Sequence, residues 1–123
     1  EEAASDEART HRRARTLARN GEWRKGMAAL AERDNVTAVK ISGMVTEVTN
    51  DNISEATLKN YFDESLAMFG AERLCFGTDW PVCLLRIDSY VQWANSVRAY
   101  VAELSVGEQN AILHETCQRA YQL

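Results

Sequence analysis

Residues 73–83 read Arg-Leu-Cys-Phe-Gly-Thr-Asp-Trp-Pro-Val-Cys, and the fold prediction starts from this stretch. Its apolar beginning, 73–77, is typical of a short buried strand. A second β-branched and mostly apolar run, 36–42, is followed directly by Gly43 and predicts another buried strand. With the segment between them, the two strands span about forty residues, which is enough for a right-handed parallel βαβ crossover.

Helical periodicity surrounds both predicted strands. Between them, Ser54 can cap a helix that ends at Gly70. After them, a helix is expected from Asp88 or Ser89 to Leu104, and Ser105-Val106-Gly107-Glu108 has the form of a capping box that opens a last helix. Two further helices are predicted before the first strand, one over 5–19 and one from about Trp23 that ends at Asp34-Asn35. The expected apolar positions are Leu58, Tyr61, Phe62, Leu66 and Phe69, then Val91, Ala94, Val97, Val101 and Leu104, and finally Ala111, Leu113, Cys117, Ala120 and Tyr121.

The order of predicted helices and strands is that of an α/β domain, and the composition is that of one soluble globular domain. Of its 123 residues, 46% are hydrophobic and 26% charged. The net charge of −4 disfavours a nucleic-acid partner, because such binding draws on clustered positive charge. No apolar run approaches the roughly 20 residues of a membrane span, and no targeting segment is visible, so we expect a cytoplasmic protein without a membrane partner. Because the chain opens without methionine, trimming and origin within a longer product both stay open.

Two carboxylates follow the predicted strands, at the ends where ligands collect in α/β proteins. Asp79 comes directly after the second strand and can bind a divalent cation or accept a proton from water. Its alternative role is to cap the next turn. Glu47 follows the first strand at a greater distance, where an exposed carboxylate often has no specific role. Lys40, inside the first strand, is expected to have a structural role.

The histidines and cysteines suggest no metal or nucleophilic motif. Three cysteines without CxxC spacing argue against a disulfide framework or a zinc knot. His11 and His114 are expected at the surface, and Cys117, three residues after His114, is more often a core residue than a ligand. Cys75 is expected in the core, while the role of Cys83 stays open. Ser42 lacks the G-x-S-x-G elbow of a serine hydrolase.

Two segments together resemble a known family. Val-Lys-Ile-Ser-Gly-Met at 39–44 and Phe-Gly-Ala-Glu-Arg-Leu-Cys-Phe-Gly-Thr-Asp-Trp-Pro-Val-Cys at 69–83 are similar to the closing portion of the amidohydrolase-related family. The resemblance is strongest to its sugar-lactonase or fuconolactonase branch and runs from about Trp23 to Leu123. It implies that the two strands are the seventh and eighth of a TIM (β/α)₈ barrel, accompanied here by about five helices.

The resemblance also implies roles for individual residues. Asp79 matches the aspartate at the end of the last strand, which acts on the hydrolytic water as a general base and, in metal-using members, binds the divalent metal, with zinc as one candidate. Trp80 would shape the lactone or sugar-acid pocket. Glu47 is a candidate substrate-binding residue through its loop position alone and not through the resemblance. The histidines of the family's earlier strands have no counterpart here, and His114-Glu115-Thr116 departs from the usual Gly- and Asn-containing turn.

These observations lead to two hypotheses. In the first, residues 22–123 are the C-terminal segment of an amidohydrolase-type lactonase, preceded by a helix of unclear origin at 1–21. Such a fragment or truncated relative is expected to be inactive alone and to associate with the missing barrel portion or with further copies. In the second, the chain is a non-enzymatic α/β module that self-associates, because two strands need cover on their edges and faces.

Overall fold

The computed structural model describes residues 21–47 and 54–123. The predicted helix at 5–19, with His11, and the polar loop at 49–52 lie outside these residues, as does the side chain of Glu47. The chain divides into two compact units, Glu1–Arg33 and Asp34–Leu123. The described part of the first unit contains helix α1 over 21–31. This helix was predicted, but it ends at Ala31 and not at the predicted Asp34-Asn35.

The second unit is built on two parallel strands. Strand β1 (Val39–Ile41) pairs with β2 (Leu74–Phe76), with Lys40 opposite Cys75. Both strands are shorter than the predicted 36–42 and 73–77. At Val36 the backbone carbonyl accepts hydrogen bonds from Arg73 Nε at 3.2 Å and Nη2 at 2.8 Å. The Arg73 side chain thus occupies the Val36 carbonyl, which in a longer strand would accept a hydrogen bond from the neighbouring strand.

The crossover between the strands contains the short helix α2 (Met44–Glu47) and the long helix α3 (Glu55–Phe69). The predicted cap is confirmed, since Ser54 Oγ accepts a hydrogen bond from the Thr57 N–H at 3.1 Å. Gly70, with φ of 72°, ends the helix. Three of the five predicted apolar positions of α3 are buried, namely Leu58, Phe62 and Phe69.

Helix α4 (Tyr90–Val101) follows β2 after a 3₁₀ turn at Val82–Leu85 and buries a different stripe from the predicted one. Val97 and Val101 are buried as expected, but Val91 is 46% exposed. Trp93 and Tyr100 take the remaining buried positions. The predicted stripe did not include Trp93 and Tyr100, although aromatic residues carry the largest apolar surfaces in the helix.

The last helix begins with the predicted capping box, in which Ser105 and Glu108 exchange side-chain and backbone hydrogen bonds. It continues as α5 (Val106–Asn110), a π-helical segment (Ala111–Glu115) and α6 (Thr116–Ala120). The wider π turn changes which residues share a face. Ala111 is buried as predicted, but Ile112 is buried in place of Leu113, and Leu113 and Tyr121 of the predicted stripe are exposed.

The core of the second unit joins both strands to α3, α4 and the last helix. Thr116 ties the last helix to the turn before β2, since its Oγ1 donates to the carbonyls of Ala71 at 3.2 Å and Glu72 at 3.1 Å. The α/β prediction with two parallel strands is confirmed. In the part of the chain that is described, no helix is long and apolar enough to cross a membrane. The largest fully buried side chains are Trp93, Phe62, Ile41, Leu74, Ile112, Val97 and Val101.

Candidate functional site

A cleft of about 400 Å³ opens at the carboxyl ends of the two strands. Its lining combines both strands, the loop after β2 and the last helix. The lining residues are Lys40, Ser42, Cys75, Phe76, Gly77, Thr78, Asp79, Trp80, Cys117 and Tyr121. The predicted site residues Asp79 and Trp80 therefore lie in one cleft, at the end of the sheet where α/β proteins bind ligands.

Alternate residues of the two strands face this cleft. Because side chains point to opposite faces with a period of two, Lys40 and Ser42 share one face of the first strand and its end. Cys75 and Gly77 line the same face on the second strand. A Cβ atom on Gly77 would lie 3.1 Å from Ser42 Cβ and 3.4 Å from Lys40 Cε. Glycine at this position allows the two strand ends to approach closely.

The Asp79 carboxylate lies against the end of the first strand. A Cβ atom placed on Gly43 would be 3.4 Å from Asp79 Oδ2. Both residues have left-handed backbone conformations, with φ of 71° at Gly43 and 56° at Asp79. Glycine adopts this conformation freely and aspartate tolerates it better than most residues. The backbone at both strand ends is thus bent so that the half-buried carboxylate points toward Gly43.

The turn after Asp79 is capped by the backbone of this residue. Its carbonyl accepts a hydrogen bond from the Cys83 N–H at 2.9 Å, which opens the 3₁₀ turn at Val82–Leu85. Within the described residues, this turn has no side-chain cap. The sequence left open the possibility that the Asp79 carboxylate caps this turn. The backbone carbonyl of Asp79 makes the capping hydrogen bond instead. The carboxylate oxygens are left for the cleft.

Two tryptophans flank the strand end in different environments. Trp93 is 2% exposed, and its Nε1–H donates to the Gly77 carbonyl at 2.9 Å, so that α4 holds the end of β2 in place. Trp80 is 62% exposed and contributes to the cleft wall. Its backbone N–H donates to Thr78 Oγ1 at 3.3 Å, and the Trp80–Pro81 peptide bond is cis.

The cysteines behave as core or near-core groups. Cys75 and Cys83 are both buried, which confirms the expectation for Cys75 and places the previously unassigned Cys83 in the core. Burial raises the pKa of the Cys75 thiol, and the nearby Cys117 adds to this rise while Lys40 opposes it. A thiol with a raised pKa is neutral at physiological pH and is therefore a poor nucleophile.

The described residues do not make up a metal centre by themselves. Over 21–47 and 54–123, no three His, Cys, Asp or Glu side chains come together in a way that could hold a metal ion. Asp79 is the one carboxylate of the cleft lining, whereas zinc takes three or four protein ligands. His114 is exposed on the π segment, as predicted.

Several cleft residues were missed by the sequence interpretation. Lys40 was assigned a structural role, and Cys117 and Tyr121 were assigned to the apolar stripe of the last helix, yet all three line the cleft. The alternation of Lys40 with Ser42 was a signal that could have placed Lys40 there. No local signal marks Cys117 or Tyr121, because the π segment sets their direction. Glu47 ends α2, and its side chain lies outside the described part of the chain.

Comparison with known proteins identifies the family. The model of the amidohydrolase family matches residues 11–123, which is most of the chain. This protein therefore belongs to the amidohydrolase family.

Two relatives of known sequence are similar to most of this chain. The chain is 37% identical over 106 residues to L-fucono-1,5-lactonase of Burkholderia multivorans, covering 82% of this chain and 35% of that protein. It is 34% identical over 101 residues to an uncharacterised protein of Sinorhizobium fredii, covering 82% of this chain and 33% of that protein. The chain thus spans about a third of the length of these relatives.

Solved structures agree with this assignment. An amidohydrolase from Burkholderia multivorans, crystallised with bound HEPES, superposes with a TM-score of 0.73 at 34% identity, covering 84% of this chain and 37% of that one. A structure of an amidohydrolase from the same organism with bound zinc gives a TM-score of 0.64 at 32% identity, covering 78% and 41%. The described fold therefore resembles part of an amidohydrolase.

Proposed function

We propose that this chain provides the closing strands of an amidohydrolase barrel and that the complete catalytic unit hydrolyses a lactone or carboxylic ester. The observation that carries the proposal is the Asp79 carboxylate, which faces a cleft at the joined ends of two parallel strands, against Gly43. The family match and the similarity to an L-fucono-1,5-lactonase support lactones of sugar acids as the substrate class.

In this proposal Asp79 acts on water as a general base. The carboxylate removes a proton from water while the oxygen of that water adds to the lactone carbonyl carbon. The ring C–O bond then breaks, and the proton passes to the departing alkoxide. The product is a hydroxy acid, whose carboxyl group releases its remaining proton to solvent at neutral pH and becomes a carboxylate. Trp80 forms one wall of the pocket, and Glu47 stays a predicted substrate-binding residue.

The proposed active form contains more protein than this chain alone. The chain covers about a third of its relatives, and Asp79 supplies one carboxylate to the cleft. We therefore expect the isolated chain to be inactive and the remaining barrel strands to complete the site. A divalent metal such as zinc would polarise the water in the complete site, and Asp79 as one of its ligands stays a prediction.

A complementation experiment tests this function. The chain is mixed with the portion of the Burkholderia multivorans L-fucono-1,5-lactonase that it does not match, and hydrolysis of L-fucono-1,5-lactone is measured with and without zinc. Wild-type chain is expected to restore hydrolysis, and Asp79→Asn is expected to lose at least about a hundredfold in rate, the usual effect of removing a general base. Asp63→Asn, on the exposed surface of α3, is the matched control and should behave as wild type.

Two results would count against the proposal. Hydrolysis that survives Asp79→Asn unchanged would remove Asp79 from the catalytic role. A wild-type chain that binds the complementing portion but restores no hydrolysis would favour the second candidate function, a self-associating module without catalysis. That candidate rests on the sheet, in which each described strand has a single described partner.

A further inference from the structure

We propose that Lys40 is a second functional residue of the cleft, whose ammonium group binds the carboxylate that lactone opening produces. The inference rests on the proposed function, because it assigns a binding partner to the product of that reaction. It concerns a residue that the sequence pattern alone assigned to a structural role.

The Lys40 side chain points toward the carboxyl ends of the two strands. Its backbone pairs with Cys75 in the sheet, but its Cε lies 3.4 Å from the Cβ position of Gly77, two residues further along β2. Two residues of strand correspond to about 6.6 Å. The lysine stem therefore runs along the sheet toward the carboxyl ends of the strands, on the face that also leads to Asp79.

The space beside Gly77 makes this course possible. A Cβ atom there would be 3.1 Å from Ser42 Cβ, so any larger residue would crowd the channel between the strands. The absent side chain leaves room for the lysine stem to lie against β2. Lys40 is exposed in spite of its central place in the strand, because this face opens into the cleft.

The charge of Lys40 is not neutralised within the described chain. The ion pairs found for a described lysine belong to Lys59, which contacts Asp63 at 3.0 Å and Glu103 at 3.5 Å. In the part of the chain that is described, Lys40 has no carboxylate partner within ion-pair distance. It is also the only cationic residue that lines the described cleft.

The chemistry of the reaction supplies a matching anion. A sugar lactone is neutral, but its hydrolysis product carries a carboxylate at the former carbonyl carbon. Lysine binds such a group as a point charge with three donors, and hydrogen bonds between charged groups are stronger than neutral ones. The same ammonium would attract negative charge on the carbonyl oxygen as water adds to it. Asp79 and Lys40 would thus act at opposite sides of one carbonyl carbon.

The test compares two ligands that differ in one group, L-fuconate and the neutral alcohol L-fucitol. Binding to the full chain is followed by NMR titration for the wild type, Lys40→Met, Lys40→Arg and the matched control Lys59→Met. We expect L-fuconate to bind the wild type more tightly than L-fucitol does. Lys40→Met should weaken L-fuconate binding about tenfold or more and leave L-fucitol binding unchanged, while Lys40→Arg and Lys59→Met retain the preference.

The salt dependence of L-fuconate binding distinguishes a lysine that binds the carboxylate from a lysine with a purely structural role. The preference of the wild type for L-fuconate should shrink as salt increases, because screening acts on the charge pair, whereas Lys40→Met should show no such trend. The inference is overturned if the wild type does not bind L-fuconate, if it binds both ligands equally, or if Lys40→Met binds L-fuconate as the wild type does. Loss of hydrolysis in the complementation experiment, with lysine-dependent binding intact, would instead count against the proposed function alone.

Discussion

At the scale of single residues, two positive φ angles determine the geometry of the cleft. Gly43 and Asp79 follow β1 and β2, and each turns the chain out of its strand with a left-handed conformation. Their approach brings the Asp79 carboxylate to 3.4 Å from the position that a Cβ on Gly43 would occupy. The carboxylate is therefore positioned by backbone conformation at two separate points of the chain, rather than by neighbouring side chains.

Gly43→Ala is expected to damage both the fold and the site. The new methyl group would be held in a left-handed conformation, at a cost of roughly 1–2 kcal/mol, whereas its distance of 3.4 Å to Asp79 Oδ2 would be an ordinary contact. Urea unfolding should show a free energy of unfolding lower by about that amount. Complemented lactone hydrolysis should fall as well, because relief of the backbone strain at Gly43 would shift the strand end against which the Asp79 carboxylate lies.

Gly107→Ala serves as the matched control. Gly107 lies in α5, and a Cβ atom there would meet nothing within 4 Å. Alanine in a helix is favoured over glycine by roughly 0.5–1 kcal/mol, so this variant should be as stable as the wild type or more so. Equal stability of Gly43→Ala and Gly107→Ala would contradict the cost expected for the left-handed backbone at Gly43.

At the scale of elements, a polar cluster joins helices α3 and α4. Tyr100 OH donates to Glu55 Oε2 at 2.7 Å, and Ser96 Oγ donates to Glu55 Oε1 at 2.8 Å. The Tyr100 ring also packs on Phe62, with ring centroids 5.4 Å apart. The first residue of α3 is thus bonded to successive turns of α4, which fixes the two helices relative to each other.

This cluster predicts a dependence of stability on alkaline pH. Burial, and then the hydrogen bond to Glu55, raise the pKa of Tyr100 above its ordinary value of 10.0. Because the folded pKa is raised, the folded state retains the phenol proton more strongly than the unfolded state does. This stabilisation is fully present below pH 10 and is lost as pH rises toward the folded pKa. The free energy of unfolding of the wild type should therefore decrease above about pH 10.

Tyr100→Phe should reduce that decrease, since it removes the titrating group and keeps the ring. The measurement is urea unfolding at a series of pH values. Tyr90→Phe is the matched control, because Tyr90 is 46% exposed and lies at the start of the same helix. If Tyr100→Phe and Tyr90→Phe lose stability with pH in the same way as the wild type, the cluster does not contribute the expected effect.

At the scale of the whole molecule, the described sheet is far smaller than a barrel. It has two strands, so each described strand has one described neighbour and an edge without a described pair. Large apolar side chains are also exposed, with Trp80 in the cleft wall at 62% and Leu85 in the 3₁₀ turn that follows at 79%. Strand edges and apolar patches of this kind favour association with other chains.

We predict that the protein associates in solution. Sedimentation over a range of concentrations should give a mass above that of one chain, and dilution should decrease it. A mass of one chain at every concentration would contradict self-association. A mixed species formed with the complementing portion of the L-fucono-1,5-lactonase would then identify that portion as the partner that covers the sheet.

Much of the fold could be predicted from local patterns. The two strands, the cap at Ser54, the stop at Gly70 and the capping box at Ser105 each depend on residues close together in sequence. The position of Asp79 after a buried strand could be predicted for the same reason, and the family resemblance that rests on this segment is confirmed. These features are encoded within one element and its immediate neighbours.

Other features depended on contacts between distant residues. The exposed Val91 and the buried Trp93 show that packing against the strand end, through the Gly77 carbonyl, selects the buried face of α4. The π segment turns Leu113 to the surface, and Thr116, directly after it, fixes the last helix by donating to the carbonyls before β2. Helical periodicity assumes a regular turn, so it could not predict this change of face.

The sequence by itself determined the family, the α/β class and the aspartate at the end of the second strand, because each follows from a continuous segment. Only the tertiary structure decided that Asp79 lies against Gly43 and that Lys40 reaches along Gly77 into the same cleft. Pairing in register brings together residues about 35 positions apart, and their distances depend on backbone conformation at both strand ends. The site is thus a product of strand pairing, although its most recognisable residue is visible in the sequence.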